Sequence, residues 1–190
     1  MVRTFLAIPL PASVKETLAR LIKELRETSA DVRWVRPEGI HLTLWFFGSL
    51  SEDRLARLKE ALARESLGES FQLKGQGLGT FPPGGRPRVI WVGVSGDLDR
   101  LRELKRRLDK IVVPLGFEPE RRPFTPHFTL GRVKSTRGLA RLLKALSHLK
   151  EAVSLPPFEV REIVLYRSDL RPDGACYTPL RRYPLQGGGS

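Results

Sequence analysis

The spacing of apolar positions along the chain predicts four helices. In each, an aliphatic residue recurs every three or four positions, which places these side chains on one helix face. Ser13 and Glu16 resemble a capping box at the start of the first helix, and Ser51 precedes the second. The four apolar stripes are Val14, Leu18, Leu21, Ile22 and Leu25; Leu55, Leu58 and Leu62; Leu98, Leu101, Leu104 and Leu108; and Leu139, Leu142, Leu146 and Leu149.

Between the helices, short runs of apolar and β-branched residues bounded by proline and glycine predict strands. The predicted strands are Val2–Ile8, Val32–Val35, His41–Phe47, Phe71–Leu78, Arg88–Val94, His127–Val133, Val160–Tyr166 and Tyr177–Tyr183. Because these strands alternate with helices and are separated by tight loops, the pattern predicts an α+β fold.

The two halves of the chain show the same order of elements: a helix, a strand that opens with His-x-Thr-Leu, and another helix. There is no clear sequence repeat beyond this order. An internal duplication would predict two lobes related by a pseudo-two-fold axis, with the two matching strands facing each other.

The length of 190 residues favours a single domain or two small lobes that share a core. We expect one bilobal domain over residues 1–186, followed by a flexible Gly/Ser tail at 187–190. Hydrophobic residues make up 41% of the chain, but no apolar run is long enough to cross a bilayer. A single cysteine, Cys176, excludes an intramolecular disulfide and favours a reducing, cytoplasmic location.

The charge of the chain points to a polyanionic partner. Lys and Arg number 33 against 21 Asp and Glu, a formal net charge of +12. Most of the basic residues are arginines, whose planar fork suits phosphate. Codon usage rich in G and C would also supply arginine, so the charge alone is a lead and not an assignment. Asparagine is absent from the sequence, which is typical of heat-adapted proteins.

Two of the three histidines open the same tetrapeptide pattern. The two segments are His41-Leu42-Thr43-Leu44 and His127-Phe128-Thr129-Leu130. On a strand, alternation places each histidine and its threonine on one face and the apolar residues on the other. Each strand therefore presents an imidazole and a hydroxyl side by side. If the two strands meet across a cleft, two histidines and two threonines converge on one point.

Such a group of side chains suits in-line displacement at a phosphodiester. That reaction needs a base at the attacking oxygen and an acid at the leaving oxygen, and histidine can do either near neutral pH. Threonine hydroxyls can donate hydrogen bonds to the non-bridging oxygens. Neither histidine has a carboxylate or cysteine companion at metal-ligand spacing, so the sequence predicts chemistry without a metal or other cofactor. The third histidine, His148, lacks the threonine and lies among leucines on a helix.

The sequence resembles the bacterial and archaeal RNA 2′,3′-cyclic phosphodiesterases, formerly called 2′-5′ RNA ligases, of the two-histidine phosphoesterase superfamily. The resemblance rests on the two His-x-Thr-Leu boxes, and the flanking segments follow in family order over nearly the whole chain. The matching segments are Phe5–Pro11, His41–Gly48, Arg122–Arg132 and Leu165–Ser168.

The resemblance implies two lobes of antiparallel sheet with outer helices and the active site in the groove between them. It implies hydrolysis of a terminal RNA 2′,3′-cyclic phosphate to a 2′-phosphate, with 2′-5′ ligation as a side or reverse reaction. On this analogy, His41 is the proton donor to the departing 3′ oxygen and His127 is the base that activates water. Thr43 and Thr129 would hold the phosphate oxygens.

Three further residues are weaker candidates. Arg132 stands at a family arginine position, but alternation places it on the face opposite His127 unless the strand ends or bulges there. Trp45 and Phe47 share the parity of His41, which allows base stacking, although packing in the core is the more ordinary role of such residues.

Other functions fit parts of the pattern. A non-catalytic RNA-binding protein would use the same basic surface, and a phosphodiesterase for small cyclic nucleotides would use the same histidines. For the leading hypothesis, the expected partner is RNA with 2′,3′-cyclic phosphate ends, tRNA fragments being candidates. We expect no metal and no membrane partner. We also expect a monomer, since no segment presents an extra apolar face.

Overall fold

A computed structural model describes residues 1–187 and contains nine strands and four α-helices in that range. The strands are β1 (Val2–Pro9), β2 (Val32–Trp34), β3 (His41–Leu50), β4 (Phe71–Phe81), β5 (Val89–Gly96), β6 (His127–Val133), β7 (Phe158–Val160), β8 (Glu162–Arg171) and β9 (Gly174–Pro184). The helices are α1 (Ala12–Arg26), α2 (Glu52–Arg64), α3 (Leu98–Val112) and α4 (Leu139–Leu149). Most of the predicted tail, residues 188–190, lies outside the described residues.

The strands form two antiparallel sheets, which confirms the predicted α+β class. One sheet has the order β3-β1-β8-β9 and the other has the order β2-β6-β5-β4-β7. Apart from β2, the two orders correspond. The histidine-bearing strands β3 and β6 pair with β1 and β5, respectively, which come from the same half of the chain. The next strands, β8 and β4, come from the other half. The halves of the chain therefore exchange strands, and neither sheet is built from one half alone.

The helices form where their apolar stripes predict them, with one correction at a terminus. In α2 the Ser51 hydroxyl accepts a hydrogen bond from the backbone N–H of Arg54 at 3.3 Å. The expected capping box of α1 is wrong, because that helix begins at Ala12 after Pro11 and has no side-chain cap. Pro11 itself takes the N-cap position with an extended backbone, and its carbonyl oxygen accepts the first hydrogen bonds of the helix, from the backbone N–H groups of Val14 and Lys15 at 3.1 Å.

One continuous hydrophobic core joins both sheets to the inner faces of the helices. The central strand β1 is buried along Phe5–Ile8, and in the other sheet β6 buries Phe128 and Leu130. All five apolar stripe residues of α1 are also buried. Among the described helices, none is both long and apolar enough to span a membrane.

Candidate active site

The two histidine-bearing strands lie against each other, although they belong to different sheets. His41 is the first residue of β3 and His127 is the first residue of β6. The short strand β2 pairs with β6 and then leads through the turn Pro37–Gly39 into β3. This connection ties the start of one His-x-Thr-Leu box to the other sheet, and residues of β3 and β6 contact one another.

Both imidazoles are anchored in the same way. Nδ1 of His41 lies 2.7 Å from the carbonyl oxygen of Gly39, and Nδ1 of His127 lies 2.8 Å from that of Thr125. A carbonyl oxygen only accepts, so in both rings Nδ1 must carry the proton and donate. In each case the acceptor is two residues before the histidine. The Nε2 atoms are therefore the nitrogens left to exchange protons with a substrate.

Aromatic rings surround His41. Its ring centroid lies 4.7 Å from that of Phe5 in a stacked arrangement, 5.2 Å from that of Tyr177 edge-on, and 6.1 Å from that of Tyr166. The absence of a side chain at Gly39 leaves room for the Tyr177 ring, because a Cβ there would lie only 3.3 Å from that ring. Neither tyrosine was a sequence candidate, although Tyr166 lies in one of the segments that carried the resemblance.

This packing changes the proton affinity of His41. The pKa of His41 is lowered from 6.5 to about 4, chiefly by burial; the hydrogen bond to Gly39 acts in the opposite direction, and the nearby ammonium of Lys15 adds a smaller lowering effect. Burial also raises the pKa of the Tyr166 and Tyr177 hydroxyls, which keeps both rings uncharged near neutral pH. At pH 7 the free protein therefore holds His41 as a neutral imidazole.

His127 has fewer aromatic neighbours than His41. Its side chain is half-buried, and the Phe81 ring lies edge-on to it with the two centroids 5.0 Å apart. His127 and Thr43 line the same groove, which has a volume of about 1770 Å³. One residue from each His-x-Thr-Leu box therefore lines this groove.

The strand β3 contributes to the lining of two cavities. The first, which we call the tyrosine cavity, has a volume of about 1040 Å³ and is lined by His41, Tyr166 and Tyr177. The second, which we call the arginine groove, is the one that holds His127 and Thr43. His41 and Thr43 are two residues apart on one face of β3, roughly 7 Å along the strand, so this face contributes a side chain to each cavity.

The remaining threonine is placed differently. Thr129 is half-buried and pairs with Trp91 of β5, but it lines neither cavity. It shares a strand face with His127, two residues away, so its hydroxyl is directed to the same side of the sheet.

Arg132 lies on the face of His127 because β6 bulges at Leu130. Thr129 pairs with Trp91, whereas Arg132 pairs with Val89, and Leu130 has no partner between them. Trp91 and Val89 are two residues apart on β5 and share a face of the sheet, so their partners Thr129 and Arg132 lie on that same face. Arg132 is exposed and lines the arginine groove. The sequence-based expectation of regular alternation, which placed Arg132 on the face opposite His127, is therefore wrong.

A second bulge overturns the expectation for Trp45. Thr43 pairs with Ala7 and Trp45 pairs with Leu6, while Leu44 has no partner. Because Ala7 and Leu6 are adjacent on β1, their partners lie on opposite faces of β3. Trp45 therefore turns away from the face of His41 and Thr43 and into the core.

Trp45 and Phe47 are core residues, so the predicted base stacking by these two rings is wrong for this structure. Their exposed fractions are 6% and 9%, and their rings stack on each other with centroids 5.5 Å apart. The indole N–H of Trp45 donates to Asp109 Oδ1 at 2.7 Å, which fixes the ring.

Phe46, which was not a sequence candidate, takes the position expected of Trp45. It is 52% exposed and pairs with Phe5, which shares a face with Ala7 and hence with Thr43. Its ring stacks on that of Phe5 with centroids 5.9 Å apart, and the Arg3 guanidinium lies 5.2 Å from its centroid. No sequence signal could have identified it, because regular alternation from His41 would place Phe46 on the opposite face of β3. Only the bulge at Leu44 brings it to the face of Thr43.

Within residues 1–187, no group of three or more His, Cys, Asp or Glu side chains is arranged to hold a metal ion. The one cysteine of the chain, Cys176, is half-buried and free. The chemistry that the described residues offer is therefore proton transfer by imidazoles, hydrogen bonding by hydroxyls and charge neutralisation by guanidinium groups.

The sequence matches a family described as LigT like Phosphoesterase. The match occurs twice, over residues 8–91 and 92–177, once in each half of the chain. The repeated match agrees with the corresponding strand orders of the two sheets.

Relatives from two archaea are similar over most of the chain, and both are named RNA 2′,3′-cyclic phosphodiesterase. The protein from Methanothermobacter thermautotrophicus is 37% identical over 186 residues, which cover 97% of this chain and 99% of that relative. The protein from Aeropyrum pernix is 39% identical over 163 residues, 86% of this chain and 92% of that relative.

Solved structures with the same fold align with this chain over almost the full length of both proteins. TT0787 of Thermus thermophilus has a TM-score of 0.77 and 29% identity, with 98% of this chain and 100% of that chain aligned. E. coli LigT in a complex with 3′-AMP has a TM-score of 0.76 and 28% identity, with 97% and 98% aligned.

Proposed function

The chain belongs to the LigT-like phosphoesterase family, and on that premise we propose that it hydrolyses the 2′,3′-cyclic phosphate at the end of an RNA chain to a 2′-phosphate. Relatives with this activity in their names match nearly the whole chain. The observation that carries the proposal is the paired anchoring of the two imidazoles, which leaves Nε2 of His41 and Nε2 of His127 as the reactive atoms.

The reaction needs one proton removed and one delivered. His127 Nε2 takes a proton from water as the water oxygen attacks phosphorus, and the bond from phosphorus to the 3′ oxygen breaks. His41 Nε2–H gives its proton to that oxygen, so that the 2′-phosphate remains on the ribose. His127 then releases its proton to solvent and His41 regains one, which returns both rings to their starting states.

His41 can act as the acid only when an anion lies beside it. Its pKa of about 4 leaves the ring neutral near pH 7 in the free protein, with the proton on Nδ1 and none on Nε2. A phosphodiester anion bound beside His41 and Thr43 would favour the imidazolium and raise this pKa. Substrate binding and protonation of His41 are then coupled, and the pH dependence of kcat should differ from that of kcat/KM.

Phosphate binding is assigned to three side chains on the cleft-facing surfaces of β3 and β6. Thr43 lines the arginine groove, and Thr129 shares its strand face with His127. Arg132 lines the same groove and would neutralise charge on the non-bridging oxygens. Phe46 offers an exposed ring for a nucleobase on the face that carries Thr43.

The test uses an oligoribonucleotide that ends in a 2′,3′-cyclic phosphate. The wild-type protein should yield a 2′-phosphate, and His41→Ala and His127→Ala should each abolish turnover without changing the folded circular-dichroism spectrum. Full activity in either variant would overturn the proposal, and a 3′-phosphate product would reverse the assignment of the leaving oxygen. RNA binding without turnover by the wild-type protein would identify a binding protein instead.

Finer points of the function are also proposals. We infer hydrolysis without a metal, which predicts full activity after dialysis against EDTA. Ligation of a cyclic phosphate end to a 5′-hydroxyl end would be the reverse of cleavage of a 2′-5′ linkage, and the same histidine variants should lose it. We further propose a monomeric cytoplasmic enzyme acting on RNA ends such as those of tRNA fragments, which sedimentation and analysis of RNA bound in cells would test.

A further inference from the structure

The arginine groove carries far more positive charge than the phosphate at the reaction centre requires. Seven basic side chains line it against three acidic ones. The basic residues are Arg33, Arg86, Arg88, Lys105, Arg122, Arg132 and Lys134, and the acidic residues are Asp109, Glu118 and Glu120. A cyclic phosphate diester has a single negative charge, so the groove is matched to a ligand with several.

Most of these cations are not engaged by the protein itself. Within residues 1–187, only Lys105 of the seven forms a salt bridge, to Asp109 at 3.1 Å. The other six are exposed. By contrast, arginines lining the tyrosine cavity are paired, as Arg161 with Glu159 at 2.8 Å and Arg182 with Glu162 at 2.6 Å. The groove therefore keeps its guanidinium groups available for an external anion.

The groove also has the size and the aromatic surface that a polynucleotide needs. Its volume of about 1770 Å³ exceeds the roughly 300–1,000 Å³ typical of a site for one small ligand. The rings of Phe46, Phe81 and Phe124 lie among the cations that line it. Proteins that hold single-stranded nucleic acid combine a basic groove with aromatic side chains in this way.

The neighbouring tyrosine cavity has the opposite character. It is lined by three basic and three acidic side chains, so it offers no net charge for a chain of phosphates. Of the two cavities lined by residues of the His-x-Thr-Leu boxes, only the arginine groove therefore offers a surface suited to a polyanion.

We propose that the arginine groove binds the RNA chain attached to the reactive cyclic phosphate, so that the protein selects oligonucleotides over cyclic mononucleotides. This inference rests on the proposed function. Three arginines bind phosphates of the RNA chain beyond the reactive one. They are Arg86 and Arg88, in the turn between β4 and β5, and Arg122, in the loop before β6. They contribute to the binding of long substrates and not to the chemical step.

The experiment compares kcat/KM for nucleoside 2′,3′-cyclic monophosphates with kcat/KM for oligoribonucleotides of increasing length that end in the same cyclic phosphate. For the wild-type protein, kcat/KM should rise with length and then level off. In the triple variant Arg86→Gln/Arg88→Gln/Arg122→Gln, the ratio of oligonucleotide to mononucleotide kcat/KM should fall at least about tenfold. Loss of three single-strand phosphate contacts should also reduce the slope of log(kcat/KM) against log[salt] by about 2 for the long substrate.

A matched triple variant separates local contacts from net charge. Arg26→Gln/Arg64→Gln/Arg106→Gln removes the same charge from exposed helical positions outside the groove, and its length preference should stay within about twofold of the wild type. Equal loss in both triple variants would overturn the inference by showing that only overall charge matters. Equal kcat/KM at every length in the wild type would overturn the inference while leaving the proposed function intact. The absence of turnover on all substrates would instead contradict the proposed function.

Discussion

The partly buried imidazole of His41 should make the stability of the protein depend on pH. His41 has a pKa of about 4 in the native state, whereas an unfolded chain gives histidine its ordinary value of 6.5. Between these values the unfolded state binds a proton that the native state does not. The free energy of unfolding must therefore fall as the pH is lowered from 6.5 through about 4.

The magnitude follows from the two pKa values. Since one pKa unit corresponds to ~1.4 kcal/mol, the difference between 6.5 and about 4 amounts to about 3 kcal/mol. Most of this contribution is present at pH 7 and is lost by pH 4. A loss of this size is a large share of the roughly 5–15 kcal/mol that typically stabilises a domain.

The assay compares urea unfolding of the wild type and of His41→Asn at pH 7 and pH 4, followed by tryptophan fluorescence. Asparagine does not titrate, and its amide N–H replaces the Nδ1–H donor to the Gly39 carbonyl. The wild type should lose about 3 kcal/mol more than this variant on acidification, because all carboxylates are common to both proteins.

The control is His148→Asn, which removes an exposed histidine from α4. It should lose stability on acidification in parallel with the wild type. Equal losses in the wild type and His41→Asn would refute the reasoning, since His41 would then accept a proton in the native state as readily as in the unfolded one. An NMR titration of the His41 ring with a midpoint near 6.5 would refute it as well.

Three further outcomes follow from single contacts. Lys15→Met should raise the pKa of His41, because it removes a nearby positive charge, and an unchanged NMR midpoint would contradict that cause. Trp45→Phe should cost about 1 kcal/mol in urea unfolding through loss of the N–H bond to Asp109, and a neutral effect would show that the bond contributes nothing. Phe46→Ala should lower kcat/KM on RNA roughly tenfold while the free energy of unfolding changes by less than about 1 kcal/mol. Unchanged kcat/KM would remove that ring from the RNA site.

Local sequence pattern predicted the four helices, most of the strands and the alternation over the first three positions of each His-x-Thr-Leu box, but it merged β7 and β8, which lie in different sheets, into one strand. Apolar spacing is a property of one helix or strand, so the stripe of α1 could be identified without knowing its neighbours. Alternation likewise held from His41 to Thr43 and from His127 to Thr129, because both strands are regular over those residues.

The surroundings of the histidines could not be predicted in this way. Tyr166 and Tyr177 reach His41 from β8 and β9, which lie more than a hundred residues further along the chain. The exchange of strands between halves decides which residues surround each imidazole, and no local pattern encodes it. The lowered pKa of His41 is a consequence of that long-range packing.

The two bulges explain why parity failed at Trp45 and at Arg132, and the cause is the same in both strands. In each box the unpaired residue is the final leucine, Leu44 in one strand and Leu130 in the other. Both leucines are buried, and so is the residue after each of them, so each bulge sends two consecutive residues toward the core.

The residue three positions after each threonine then returns to the cleft-facing side. It is Phe46 after Thr43 and Arg132 after Thr129. These two residues correspond to each other under the duplication, and both line the arginine groove. The bulge in β3 therefore supplies the groove with an exposed aromatic ring, and the corresponding bulge in β6 supplies it with a guanidinium group. The leucine that ends each box thus has a role that its apolar character alone does not reveal, because the bulge at this leucine sets which side chain after the threonine lines the arginine groove.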